Sequence, residues 1–178
     1  AWAKLEGDIG GVPAALWWQS LFAVIWDTGE RISATLAIRW DWIDRGGSFT
    51  IPAKARKGRN KAMTYTLKPV TLALLGKIRE PKRDVVFPWP YRFDYLWLHH
   101  RRINEMAGLP TDRRSKFHRM RRSFASHLEA AGGNATDALK HTMRKTTAES
   151  YLDPRIVKTS PANLLLPDAP IDGKEGAA

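Results

Sequence analysis

Between Phe117 and Tyr151 the chain reads FHRMRRSFASHLEAAGGNATDALKHTMRKTTAESY, and four of its side chains can do chemistry together. His118 and Arg121 stand three residues apart, a second histidine follows at His141, and a tyrosine lies ten residues further on at Tyr151. Positions three apart on a helix share a face, so His118 and Arg121 can point at one ligand. A basic, polar pair of this kind suits a phosphate held against a helix, with Tyr151 as the group that attacks it. The apolar set Met120, Phe124 and Leu128 repeats every four residues and marks the neighbouring face as the buried one.

The rest of the chain must supply the framework. Its 178 residues suit one domain with a real core, or two very small ones. The charge stands out: 29 Lys+Arg against 18 Asp+Glu leave +11. Such an excess predicts a polyanion as partner, DNA or RNA ahead of an anionic membrane surface. With no cysteine there are neither disulfides nor thiolate metal sites, which fits a reducing cytoplasm. The most apolar run, residues 12–26, is too short to span a bilayer and is interrupted by Gln19 and Ser20. No signal-peptide pattern precedes it, so a cytoplasmic chain working on its polyanion, and not in a membrane, is expected.

Residues 1–12 are glycine-rich and read as irregular. Pro13 suits the first turn of a helix, and residues 14–26 are apolar nearly all round, as in a buried helix. Thr28-Gly29 reads as a helix stop and restart, with a helical stripe at Ile32, Leu36 and Ala37. Trp40, Trp42, Phe49 and Ile51 read as short strands around the turn Asp44-Arg45-Gly46-Gly47. Residues 51–68 hold six basic side chains and no acid, which predicts an exposed hairpin tip at 56–61 and a return strand at 63–67. Further helices are predicted from Pro69 to Arg79 and from Tyr91 to about Ala107, before a linker at 108–116. Asp153-Pro154 ends the last helix, and the tryptophans read as core.

Three of these pieces share a theme, and together they resemble the tyrosine recombinases, the phage-integrase family of DNA-rearranging enzymes. Residues 28–44 are similar to that family's first box, T-G-x-R-I-S-x-x-L-x-x-x-W. His118-Arg119-Met120-Arg121 looks like its H-x-x-R, and residues 123–128 follow where the family has a T-F-A-T-H-L-like run. Leu139-Lys140-His141, Thr146-Thr147 and Tyr151 resemble its closing L-G-H, T-T and Y. The resemblance runs over residues 13–155.

It implies a mainly α (α+β) fold: a helical catalytic domain with a small antiparallel β-sheet near its N-terminal third. The domain is expected over residues 1–167, with 168–178 a disordered tail and the family's N-terminal DNA-clamping domain absent from this chain. The implied activity is site-specific DNA recombination, in which strands are cut and rejoined through a 3′-phosphotyrosine intermediate. Arg31 and Arg121 would neutralise the non-bridging phosphate oxygens, which two guanidinium forks do better than lysines. Tyr151 would be the nucleophile. A phenol with an ordinary pKa near 10 needs help to lose its proton, and His118 is the candidate to take it. His141 would hydrogen-bond the phosphate. The leaving 5′ oxygen needs a proton, and a hairpin lysine would supply it: Lys57, with Lys54 and Lys61 as close alternatives.

Neither metal nor cofactor is expected; the chain has no HExxH and no phosphate-cradling glycine loop. Lys54, Arg56, Arg59, Lys61, Arg113, Arg114, Lys116, Arg119 and Arg122 are expected to grip DNA phosphates. The expected partners are double-stranded DNA and further copies of the chain, as a tetramer on DNA. Against the pattern, Ala34 stands where an acid is common, so a carboxylate orienting Arg31 is missing or comes from Asp27 or Glu30. Arg122 and Lys140 also replace a usual histidine and glycine. Two other readings predict different chemistry. A type IB topoisomerase would relax DNA without exchanging strands, and a decayed DNA-binding module would bind without covalent attachment.

Overall fold

Pro13 lacks a backbone N–H, and the first long helix, α1 (Ala14–Thr28), starts directly after it. In this computed structural model, which describes residues 4–56, 61–112, 116–139 and 143–157, α1 is the central rod. Trp17, Trp18, Leu21, Val24 and Ile25 form its buried stripe, at the spacing of one broad helical face. Ahead of it, residues read as irregular form a small hairpin instead. Strands β1 (Asp8–Ile9) and β2 (Val12–Pro13) pair around Gly10-Gly11, and burial of Ile9 and Val12 holds them.

Gly29 ends α1 in the left-handed region at φ 63°, and its N–H donates back to the Ile25 carbonyl at 2.8 Å. A side chain here would overlap the Phe124 ring, so glycine also lets a later helix close in. The chain re-enters a short helix, α2 (Ile32–Leu36). Residues 40–42, expected as strand, are a 3₁₀ turn. The Trp40 N–H donates to the Asp84 carbonyl, and the Val86 N–H to that of Ile38, while Ile43 bridges to Phe49. The backbone must turn a corner between those two pairings.

Strands β3 (Ser48–Ile51) and β4 (Met63–Thr66) make the expected antiparallel hairpin, with Phe49 opposite Tyr65. Phe49 and Ile51 point into the core, whereas Thr50 faces out and pairs its hydroxyl with Thr64 at 2.8 Å. Pro69 opens α3 (Pro69–Ile78), which packs along α1. The aromatic helix α4 (Phe93–Met106) buries Leu96, His100 and Ile103. The chain is thus mainly helical with small antiparallel sheets. Among the described residues no helix is long and apolar enough to cross a membrane.

The last three helices, α5 (His118–Ala130), α6 (Ala135–Leu139) and α7 (Arg144–Tyr151), pack together around Ala125, Ala135, Leu139 and Tyr151. The inner face of α5 differs from the expected Met120, Phe124 and Leu128, which are only half-buried. Its most buried residues are Arg121, Ala125 and Ser126. Two small residues let α6 and α7 approach closely, and the arginine is drawn in by acceptors described below.

His100 is buried among the rings of Phe117, Phe22 and Trp18, with centroids at 4.2, 6.0 and 6.4 Å. Burial lowers its pKa to about 4, so it is neutral in the folded protein at neutral pH. The unfolded imidazole, at 6.5, takes its proton first as pH falls. The His100 contribution to folding stability is therefore expected to fall between pH 6.5 and about 4 by about 3 kcal/mol, and that contribution alone levels off below. Denaturant titrations across that window check this, and His100→Phe should remove its contribution.

Candidate active site

Arg31 sits at the corner between α1 and α2, where it is the N-terminal flanking residue of α2. It is half-buried, and among the described residues its guanidinium meets no acceptor. Its backbone is fixed: its N–H donates to the Glu30 carboxylate at 2.9 Å, and its carbonyl accepts from the Thr35 hydroxyl at 3.2 Å.

Arg121 projects from α5 towards this corner and is 1 % exposed. One end of its fork donates to the Gly29 carbonyl and the other to the Leu139 carbonyl at 3.0 Å. It thereby ties the α1–α2 corner to the end of α6. Its Nε is buried with no hydrogen-bond partner among the described residues. Burial, and then the positive charge of Arg31, push the Arg121 pKa down, although Glu30 and Tyr151 partly offset this. Two guanidinium groups so placed, one deeply buried, make a site short of negative charge.

Tyr151 closes α7 against the same cluster and is 7 % exposed. Its ring stands edge-on to His118, with centroids 5.0 Å apart, and the Arg121 guanidinium lies 5.9 Å from its centre. Tyr151 and Arg121 also interact by hydrogen bonding. Ser126 holds the end of the tyrosine helix: its hydroxyl donates to the Tyr151 carbonyl at 3.1 Å and accepts from the Asp153 N–H at 2.9 Å. Glu129 braces the start of the same helix through an ion pair with Arg144, and accepts from the Ala135 N–H at 3.0 Å. His118 is held below the usual imidazole range by partial burial, and then by Arg121, Arg31 and Arg122. It is neutral at physiological pH and can accept a proton.

Arg31, His118, Arg121 and Tyr151 therefore converge from α1–α2, α5 and α7. Lys57 and His141 lie outside the described residues, as do Arg59, Arg113 and Arg114. Lys54, Lys61, Lys116 and Arg119 are exposed, and Lys116 lies over the Trp97 ring at 4.9 Å. Arg122 is half-buried. With Arg119, Ser123, Tyr151 and Arg155 it lines a cleft of about 370 Å³. A more apolar groove of about 740 Å³, walled by Phe22, Trp26, Leu74, Ile103 and Leu109, contains none of the four converging residues.

Arg56, expected to grip DNA, is turned inward. Its guanidinium pairs with Glu30 at 2.6 Å and donates to the Lys61 carbonyl at 3.0 Å, because Glu30 is a buried carboxylate that needs a counter-charge. Glu30 also accepts from the Tyr65 hydroxyl at 2.6 Å. Burial alone would raise Glu30. Tyr65, the Arg31 N–H and the charges of Arg56 and Arg121 outweigh it and hold the carboxyl below its ordinary range. Asp27, the other candidate partner for Arg31, accepts from the Lys68 N–H at 2.9 Å instead. Among the described residues no three His, Asp or Glu side chains converge to hold a metal.

The described residues thus gather two arginines and a histidine around a tyrosine in a helical domain. The family model of the phage integrase family matches residues 6–156, and the chain belongs to that family, the tyrosine recombinases. Its fold is similar to that of the XerH site-specific recombinase, solved bound to palindromic difH substrate as a post-cleavage complex. The TM-score is 0.61 at 23 % identity, over 82 % of this chain and 44 % of that one. The chain thus spans less than half the length of that recombinase. No curated protein matches it.

Proposed function

We propose that the protein is a site-specific DNA recombinase whose catalytic domain cuts and rejoins strands through Tyr151. The observation that carries the reading is the convergence of Arg31, His118 and Arg121 on that one tyrosine. Arg31 and Arg121 hold the non-bridging oxygens of a phosphodiester and stabilise the charge that builds in the transition state. The Tyr151 oxygen attacks phosphorus, and its proton passes to neutral His118. The bond from phosphorus to the 5′ oxygen breaks, and that oxygen takes a proton from a hairpin lysine, Lys57 or its alternatives Lys54 and Lys61. His141 adds a hydrogen bond to the phosphate.

The product is a 3′-phosphotyrosine ester and a free 5′ hydroxyl. Attack by a 5′ hydroxyl on the ester reverses every step, so the bond is conserved through strand exchange. No cofactor enters these steps. Duplex DNA is the substrate, Lys54, Lys61, Lys116, Arg119 and Arg122 contact its backbone, and assembly to a tetramer on DNA brings the exchanging strands together.

The test mixes the protein with duplex and nicked DNA from the flanks of its own gene, then denatures the mixture. A protein–DNA adduct and Holliday junctions are expected. Adduct with relaxation but no junctions would mean topoisomerase chemistry. Binding that weakens with salt yet never becomes covalent would mean a decayed binding module.

A further inference from the structure

We propose that Glu30 is a positioning residue that holds the lysine-bearing hairpin against the Arg31 corner, with Arg56 and Tyr65 as its two grips. The proposal rests on the strand-cleaving reading above and assigns a role to a buried acid that the mechanism does not use.

Glu30 is 2 % exposed, and both of its oxygens are engaged. One accepts from the Arg31 N–H at 2.9 Å. The other accepts from the Arg56 Nε and the Tyr65 hydroxyl, each at 2.6 Å, and lies 2.6 Å from the Arg56 Nη2. These partners come from different parts of the fold. Arg31 starts α2, Arg56 follows β3, and Tyr65 lies within β4. Arg56 also reaches across the hairpin to the Lys61 carbonyl, so one guanidinium links both limbs to the acid.

The mechanical need is clear from the sheet. A two-stranded hairpin is marginal by itself, and only one face of β3 is packed on the core. Phe49 and Ile51 seat its inner face on the core, and the Glu30 cluster joins it directly to the arginine corner. Burial, and then the Glu30 charge, push the Tyr65 hydroxyl far above its ordinary value, so it stays a donor. Ala34 cannot provide such a carboxylate from α2; Glu30 provides it from the residue before Arg31. The Glu30 cluster therefore sets where the two hairpin limbs that carry Lys54 and Lys61 stand when the 5′ oxygen leaves.

The test compares strand cleavage on ordinary DNA with cleavage of DNA carrying sulfur in place of the bridging 5′ oxygen. A thiolate leaves without a proton, so this substrate needs no correctly placed lysine. Tyr65→Phe and Arg56→Met are expected to slow adduct formation on ordinary DNA by about tenfold to a hundredfold and to recover near-parental rates on the sulfur substrate. Arg56→Met leaves a buried carboxylate unpaired, so Glu30→Gln/Arg56→Met is measured beside it to keep folding intact. Equal losses on both substrates, or no loss, would overturn the proposal.

Hydrogen exchange is read on the same variants without DNA. Amides of residues 53–56 and 61–66 should exchange faster while those of α5 do not change; unchanged hairpin exchange would also overturn it. If the parent forms no adduct on either substrate, the strand-cleaving reading fails, and hairpin exchange still decides whether Glu30 grips the hairpin.

Discussion

Tyr151→Phe, which removes a single oxygen, is expected to lower covalent attachment to DNA by at least about a thousandfold. The substitution is clean because the ring stays. Its edge-on contact with His118 and its place over Arg121 belong to the ring, and the helix end is held through the Tyr151 carbonyl by Ser126. Folding stability should shift by no more than about 1 kcal/mol, the worth of one hydrogen bond. DNA binding, which the proposal assigns to surface lysines and arginines, should keep its affinity and its salt dependence. Adduct yield on nicked duplexes measures the first effect, and a salt titration with a thermal melt measures the others. Residual adduct at the parental level would assign the nucleophile elsewhere and remove the basis of the mechanism.

Arg121→Lys should damage both reaction and fold. Arginine spans two carbonyls, those of Gly29 and Leu139, with the two arms of one planar group. A lysine keeps the charge but offers a single nitrogen, so at least one buried carbonyl loses its donor. That leaves an unsatisfied acceptor costing about 1–3 kcal/mol, visible in the denaturation midpoint. Cleavage should fall by about a hundred- to a thousandfold, since a point charge cannot grip two phosphate oxygens as the fork does. Arg31 meets no acceptor among the described residues, and its contribution should therefore appear in the reaction and not in the melt. A variant at Arg121 that reacts slowly yet melts normally would contradict the double role.

Local spacing made much of this legible in the chain. The glycine after Thr28, the His118–Arg121 interval and the alternation of Phe49 and Ile51 are short-range signals, and helix ends and hairpin followed from them, whereas Arg31 joined the candidate set only through the family resemblance. Longer-range features were not legible. Hydrophobic periodicity reads apolarity, so it selected Met120, Phe124 and Leu128 and missed an inner face made by an arginine, an alanine and a serine. Arg56 stood in a run of basic residues and looked solvated. Its partner Glu30 lies 26 residues away, and Tyr65 lies 35 from that acid. The available hint was a lone acid beside Arg31, in a box whose usual acid position holds Ala34. Trp40 and Trp42 lie in a turn and not in strands because that turn answers to backbone pairing with residues 84–86, which side-chain pattern does not encode.

The reach of Arg121 has a consequence for the life of the protein in the cell. Its two acceptors lie 92 residues before it and 18 after it. During synthesis the arginine corner and the hairpin leave the ribosome first, and the tyrosine emerges long afterwards. A nascent chain therefore presents the arginine corner and the hairpin before His118, Arg121 and Tyr151 exist to join them. Under the proposed chemistry, the ability to break DNA arrives only with the finished fold.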